Sequence, residues 1–249
     1  MQLGIGLDLG FNYPKIRRKK EQKGTPIRNG LVAEYLFDEG RGQVLCDYSG
    51  NGNHGRLGSS RLPDTNDPLW TPQGLEFDGV DDYVCLGNKE SIANIGVDGL
   101  TVTVVFAVSD IMQQSIVCRA NPRGQDWQYQ IRKETSFIEF RVWIDGLHGL
   151  SFPIVTYKPG VMSVAVTYDG INIKLYADGA LVLTREHLSG IVTGQPTYIG
   201  RYWDSDTRYL DGETYLAHFY NRALSPEEVL QNHEWSKVEL AKRGVILAA

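Results

Sequence analysis

From Gly30 onward the chain alternates short apolar-rich runs with turn residues. Residues 31–37 (LVAEYLF), 100–108 (LTVTVVFAV), 137–144 (FIEFRVWI) and 161–168 (VMSVAVTY) are of strand length and rich in β-branched and aromatic residues. The shorter runs GLEFDG, DYVCLG, QSIVCRA, WQYQIRK, INIKLYA and ALVLTRE share that pattern. Asp169-Gly170 and Asp178-Gly179 each separate two such runs, and Asp-Gly supplies the positive φ angles of a tight hairpin turn. Three consecutive antiparallel strands are therefore predicted over residues 161–186. Only one stretch reads as a helix, SPEEVLQNHEWSKVELAKRG. Ser225 is its N-cap, Pro226 its first residue, Glu228 closes a capping box and Gly244 is the stop. Val229, Leu230 and Trp235 form its apolar stripe, which predicts packing against a sheet edge. About ten strands and a late helix predict an all-β fold, an antiparallel β-sandwich with one C-terminal α-helix.

Residues 1–29 break the pattern. After Ile16 they hold hardly any large apolar residue, and the run KIRRKKEQK is basic. Seven Lys/Arg (Lys15, Arg17, Arg18, Lys19, Lys20, Lys23, Arg28) against Asp8 and Glu21 give residues 1–30 a charge of +5, which leaves −10 on the rest of a chain whose net charge is −5. A basic arm on an acidic body points to different partners for the two parts. Leu3, Ile5, Leu7, Leu9 and Phe11 alternate with glycines and Asp8, like a strand added to a neighbour's sheet edge. With Arg17, Arg18, Lys19 and Lys20 they form a candidate docking arm, against the alternatives of a mobile arm or an extra strand of the chain's own sheet. The arm has no aromatics interleaved in its basic run, and the acidic body would repel a duplex, so nucleic acid is disfavoured as a partner.

With 42% hydrophobic residues the chain can bury a core, and no stretch approaches a membrane span. The start MQLGIGLDLG lacks the pattern of a signal peptide, which predicts synthesis in a cytosol. Cys46, Cys85 and Cys118 are far apart and odd in number, and are expected to be core thiols.

Four stretches carry a resemblance: GLVAEYLFDEGRGQVLCDYSGNGNHG, GLEFDGVDDYVCLG, VAVTYDGINIKLYADGALV and TYLAHFYNRALSPEEV. In this order and spacing, over about residues 30–234, they resemble the laminin-G-like family of the concanavalin A-like lectin and glucanase superfamily. The resemblance implies a jelly-roll sandwich of two antiparallel sheets, and a role in sugar binding, adhesion or assembly. The glycine-rich SGNGNHG is then a bend between two strands, with positive φ values that Gly and Asn allow. Family members often hold calcium near such a loop, and Asp47, Asn51 and Asn53 offer the hard oxygens Ca²⁺ takes. Relatives carry an acidic pair where this chain has Tyr215 and Leu216, which removes expected ligands. Bend alone and bend plus calcium both stay open.

The superfamily also contains glycosidases, which need two suitably spaced carboxylates. The nearest pattern is EFDGVD, with Glu76, Asp78 and Asp81, but Gly79 interrupts the strand and the same letters form the family's strand-and-turn motif. The five histidines show no ligand or triad spacing. Sugars stack on aromatics flanked by polar groups. RYWDSDTRYLDG places Arg201, Tyr202, Trp203 and Asp204 in one loop, and GQDWQYQIR adds Trp127. These five are the candidate glycan site, with Tyr202 and Trp203 equally open to a core role, whereas Trp143 and Tyr220, inside strand-like runs, are expected in the core. The expected organisation is an arm over 1–29, a sandwich over 30–224, and a helix and tail over 225–249. The expected function is a non-enzymatic binding or structural module that docks to other protein subunits through its arm, most simply in a bacteriophage virion. The alternative is a free carbohydrate-binding protein, outside a cell or on its surface.

Overall fold

The computed structural model describes residues 24–96, 98–110, 113–120, 127–143, 149–186, 191, 194–202 and 208–247. The 3–11 alternation and the basic run of the arm lie outside these residues, as do Trp203 and Asp204. The early strands are β1 (Leu31–Tyr35), β2 (Val44–Leu45), β3 (Gly55–Leu57), β4 (Leu69–Trp70), β5 (Leu75–Asp78) and β6 (Val84–Gly87), followed by a short helix α1 (Glu90–Ala93). Then come β7 (Leu100–Val108), β8 (Gln114–Ala120), β9 (Trp127–Lys133), β10 (Phe137–Trp143) and β11 (Gly149–Thr156). The chain closes with β12 (Met162–Tyr168), β13 (Asn172–Ala177), β14 (Ala180–Glu186), β15 (Thr197–Ile199), β16 (Asp211–Tyr220) and helix α2 (Pro226–Ala241).

These strands form two antiparallel sheets. Sheet A runs β14-β13-β12-β7-β16-β5-β4, with β1 also paired to β16, and sheet B runs β11-β10-β9-β8-β15-β6-β3-β2. The ten residues of β16 pair β7 on one side and both β5 and β1 on the other, so this one strand ties the start of the chain to its end. Alternation decides the interior: Val102, Val104 and Phe106 from β7 meet Tyr129, Ile131, Ile138 and Phe140 from β9 and β10 in the main core. No helix among the described residues is long and apolar enough to cross a membrane.

The predicted hairpins form over residues 161–186. At the second turn both Asp178 (φ 46°) and Gly179 (φ 78°) are left-handed, while at the first only Gly170 is. There Asp169 instead accepts hydrogen bonds from the backbone N–H groups of Ile171 and Asn172. Helix α2 has the predicted cap: Ser225 Oγ accepts from Glu228 N–H and the Glu228 carboxylate accepts from Ser225 N–H. It lies on the outer face of sheet A, where Val229 joins Ala165, Tyr176, Tyr220 and Leu224 in one satellite cluster, and Leu240 joins Val105, Tyr215 and Leu216 in another.

The stripe differs from the expected one. Leu230 is exposed, and its place is taken by Asn232, His233, Ser236 and Leu240, because the helix rests on a sheet face that is itself partly polar. Tyr220 is fully buried as expected, but beneath α2 rather than between the sheets. Trp143 belongs to β10, and its side chain is outside the described residues. Contacts to the body begin ahead of Gly30: Ile27 N–H donates to Asn232 Oδ1, Tyr220 Oη–H donates to Ile27 O, and Arg28 pairs with the buried Glu34 at 2.6 Å. Cys46 and Cys118 are buried and Cys85 half-buried, and none of the three is in a disulfide. Burial pushes the Cys46 thiol up to about 12.

Candidate functional site

The loop 46–60 is built around Asp47. Its Oδ1 accepts from Glu34 N–H (3.0 Å) and Ser49 N–H (2.8 Å), and its Oδ2 accepts from Asn53 N–H and Ser49 Oγ–H (both 2.8 Å). Asn51 and Asn53 turn their side-chain N–H groups to β1: both donate to Val32 O, and Asn51 also donates to Leu31 O. Asn53 Oδ1 accepts from Ser91 Oγ. Gly50 and Gly52 are left-handed (φ 97° and 70°) and let the loop fold back over this anchor. The three expected calcium ligands thus come together, but their groups are engaged in tying the bend to β1. They do not fit an oxygen cage, since an ion would have to displace four hydrogen bonds from Asp47 alone. At the usually acidic places, Tyr215 and Leu216 are buried apolar packing.

A second acidic group lies at the turn after β5. Carboxylate oxygens of Asp78, Asp81 and Asp82 come within 4.8 Å of one another. They serve the turn: Asp78 Oδ1 accepts from Val80 N–H, and Asp82 Oδ2 accepts from Asp78 N–H. Burial, with the neighbouring carboxylates adding to it, lifts Asp82 to about 7. Glu76 and Asp78 are both exposed on β5.

The outer face of sheet B is different. Register places Ser151, Arg141, Gln130, Cys118, Tyr198 and Cys85 in one row across six neighbouring strands. Arg132 and Glu139 face each other in the adjacent row, joined at 2.6 Å, and Arg132 also pairs with Glu134. Gln128 and Gln130, on the same face of β9, are fully buried, and neither oxygen nor nitrogen of either amide has a hydrogen-bond partner. A buried polar group left unmatched costs about 1–3 kcal/mol. Two of them side by side are a departure from the ordinary rule of satisfied interiors. Burial, then the charge of Arg132, holds Arg141 below the usual arginine range.

The predicted residues meet this face at its β15 side. The Arg201 guanidinium lies 4.4 Å from the Tyr83 ring centre, 5.2 Å from Tyr198 and 6.0 Å from Tyr209. Arg208 covers the Tyr202 ring at 4.6 Å. Burial pushes Tyr198 up to about 12. Of the predicted residues, Arg201 thus sits among Tyr83, Tyr198 and Tyr209 and Tyr202 under Arg208, whereas Trp203, Asp204 and the side chain of Trp127 fall outside the described residues. Gln128, Gln130, Arg132, Glu139 and Arg141 were missed. Their signal is the alternation in WQYQIRK and FIEFRVW, where the polar positions are amides and charges rather than Ser or Thr. Two open hollows, of about 370 Å³ beside Glu90 and Asp98 and about 440 Å³ beside Lys158 and Ile246, lie elsewhere. Among the described residues, no unpartnered buried side-chain polar atom lines either.

Two stacked antiparallel sheets, one covered by a helix and the other polar and aromatic on its outer face, define a jelly-roll sandwich of the lectin type. The chain belongs to the Laminin_G_3 family of the concanavalin A-like lectin/glucanases superfamily, whose model matches residues 78–230. Among solved structures the chain is similar to the binding domain of botulinum neurotoxin DC in complex with rat synaptotagmin II, at 14% identity and a TM-score of 0.64. That match covers 84% of this chain and 52% of the other. It is also similar to the serotype D ligand-binding domain in complex with N-acetylneuraminic acid, at 15% identity and 0.64, over 84% and 51%. A third similar structure is botulinum neurotoxin type C, described for its interaction with two ganglioside molecules, at 14% and 0.63, over 84% and 51%. The chain spans about half the length of each, and at this identity the likeness is one of fold. No curated protein matches the chain.

Proposed function

We propose that the protein is a non-catalytic glycan-binding module and that the outer face of sheet B takes an acidic sugar. The observation that carries this is the pair of buried, unpartnered amides Gln128 and Gln130 set beside Arg141. Sugar hydroxyls both donate and accept, which is what an amide oxygen and nitrogen require. Arg141 lies beside these amides on the neighbouring strand, and a guanidinium in that place suits a carboxylate on the ligand. Tyr202, half-buried beside Arg208, supplies a face for a sugar ring. Among the structures with this fold, one holds N-acetylneuraminic acid and another is described as interacting with gangliosides.

The basic 1–29 arm supports display on a larger assembly of protein subunits, and we propose a bacteriophage particle as that assembly, with a free lectin as the rival. Deleting residues 1–23 separates the two, since it removes docking in the first case and changes nothing in the second. Glycan binding is tested on an array of acidic and neutral oligosaccharides with the full chain. Gln130→Leu is expected to weaken binding of the acidic hits at least tenfold while leaving the protein folded, and Arg141→Ala to do the same. Equal binding by Gln130→Leu and wild type, or no bound glycan at all, would overturn the assignment.

A further inference from the structure

Among the described residues, sheet A ends in β14, with no strand paired to its outer side. β14 is the terminal strand of the sheet, and six of its seven residues are exposed, the remaining Leu183 being half-buried. Leu181 and Val182 are 48% and 45% exposed, a two-residue apolar patch on an edge where charge is the usual guard. A bulge sits there too: Leu175 pairs with Leu183 and Tyr176 with Leu181, so Val182 is the extra residue. Tyr176 packs beneath Val229 of α2, and the next helix residue, Leu230, is 48% exposed.

The leader emerges beside this edge. Thr25 O accepts from Gln231 Nε2 and Ile27 N–H donates to Asn232 Oδ1. The next helix residue, His233, lies against the β13–β14 turn, where a Cβ at Gly179 would come within 3.0 Å of its ring. Residues 12–23 separate the alternating 3–11 segment from this exit, a reach of roughly 40 Å at about 3.3 Å per residue. Charge agrees: residues 1–30 carry +5 and the remainder −10.

We infer that β14 is the acceptor for the 3–11 segment of a second copy of this chain, which adds to sheet A as a further strand. The inference rests on the reading above that the leader docks between subunits. The apolar row Leu3, Ile5, Leu7 and Leu9 covers Leu181 and Leu230, while the alternate row of Gly4, Gly6, Asp8 and Gly10 brings only one small charged side chain to the opposite face. Every copy both gives and receives a strand, so the contact is head-to-tail and closes as a ring or continues as a filament.

The test is sedimentation velocity on the full chain over a concentration series, with two double variants. Ile5→Asp with Leu7→Asp blocks giving, and Leu181→Lys with Val182→Lys blocks receiving on residues already exposed to water. Wild type is expected to self-associate and each variant alone to be monomeric. A mixture of the two variants is expected to form one-to-one complexes, because each retains the half the other lacks. If the mixture stays monomeric, pairing between copies is overturned. If deleting residues 1–23 abolishes association but the lysine variant still associates, the leader docks elsewhere and only the β14 assignment falls. If the deletion leaves association intact, or wild type never associates, the pairing of leader with a second copy falls, while docking to other subunits of a particle is decided separately by whether the 1–23 deletion still joins that particle.

Discussion

Asp47 shows how much one side chain can hold. Four donors converge on its buried carboxylate and link β1, the bend and Asn53. Asp47→Ala strands the backbone N–H groups of Glu34, Ser49 and Asn53, and is expected to cost about 3–5 kcal/mol, in the range for losing the centre of a buried network. A chelator is expected to leave the melting temperature of wild type unchanged, because the carboxylate is already occupied. A fall of several degrees would instead show an ion-held loop. Asp82 gives a pH signature. Its folded pKa of about 7 lies above the usual aspartate value near 3.9, so the folded state binds the proton more tightly than the unfolded one. Its stabilising contribution is full below about pH 4 and is lost as pH rises through 7. Asp82→Asn, which keeps an acceptor for Asp78 N–H, is expected to flatten the decline in stability between about pH 4 and pH 7 measured by denaturant titration. An unchanged slope would remove Asp82 as its source.

Among the elements, those announced by local chemistry were legible. The capping box of α2 and the turn at Asp178-Gly179 are written in adjacent residues, and both form where expected. Ser225→Ala is expected to cost about 1 kcal/mol and to lower the melting temperature by a few degrees, checked by circular dichroism at 222 nm. Short strands such as β2 and β4, two residues each, were not legible, because pairing and not composition makes them. Helix α1 is a single turn whose carbonyls are met by the buried Arg119, which donates to Ile92 O and Ile95 O from a strand 24 residues away. The polar face of sheet B was half-legible. Alternation in β9 and β10 was visible, but whether Gln130 faced water or a closed interior depends on register with Cys118 and Arg141, which no local pattern records. Likewise Arg201 was recognisable as an aromatic-flanked cation, whereas its partner Tyr83 is more than a hundred residues away.

For the whole molecule, the resemblance carried over residues 30–234 and the matched model over 78–230 agree on a two-sheet sandwich. Both ends of the described chain gather on one side of it: Ile27, Arg28 and α2 all lie over sheet A, whereas Gln130 and Arg141 belong to sheet B and Tyr202 follows its strand β15. Sheets in such a sandwich stack about 10 Å apart, and a helix layer adds about as much again. A copy fastened by its leader would therefore stand with its back to whatever holds it. The proposed sugar-binding face of sheet B would then lie away from that attachment, and grip and reach would never compete for the same surface.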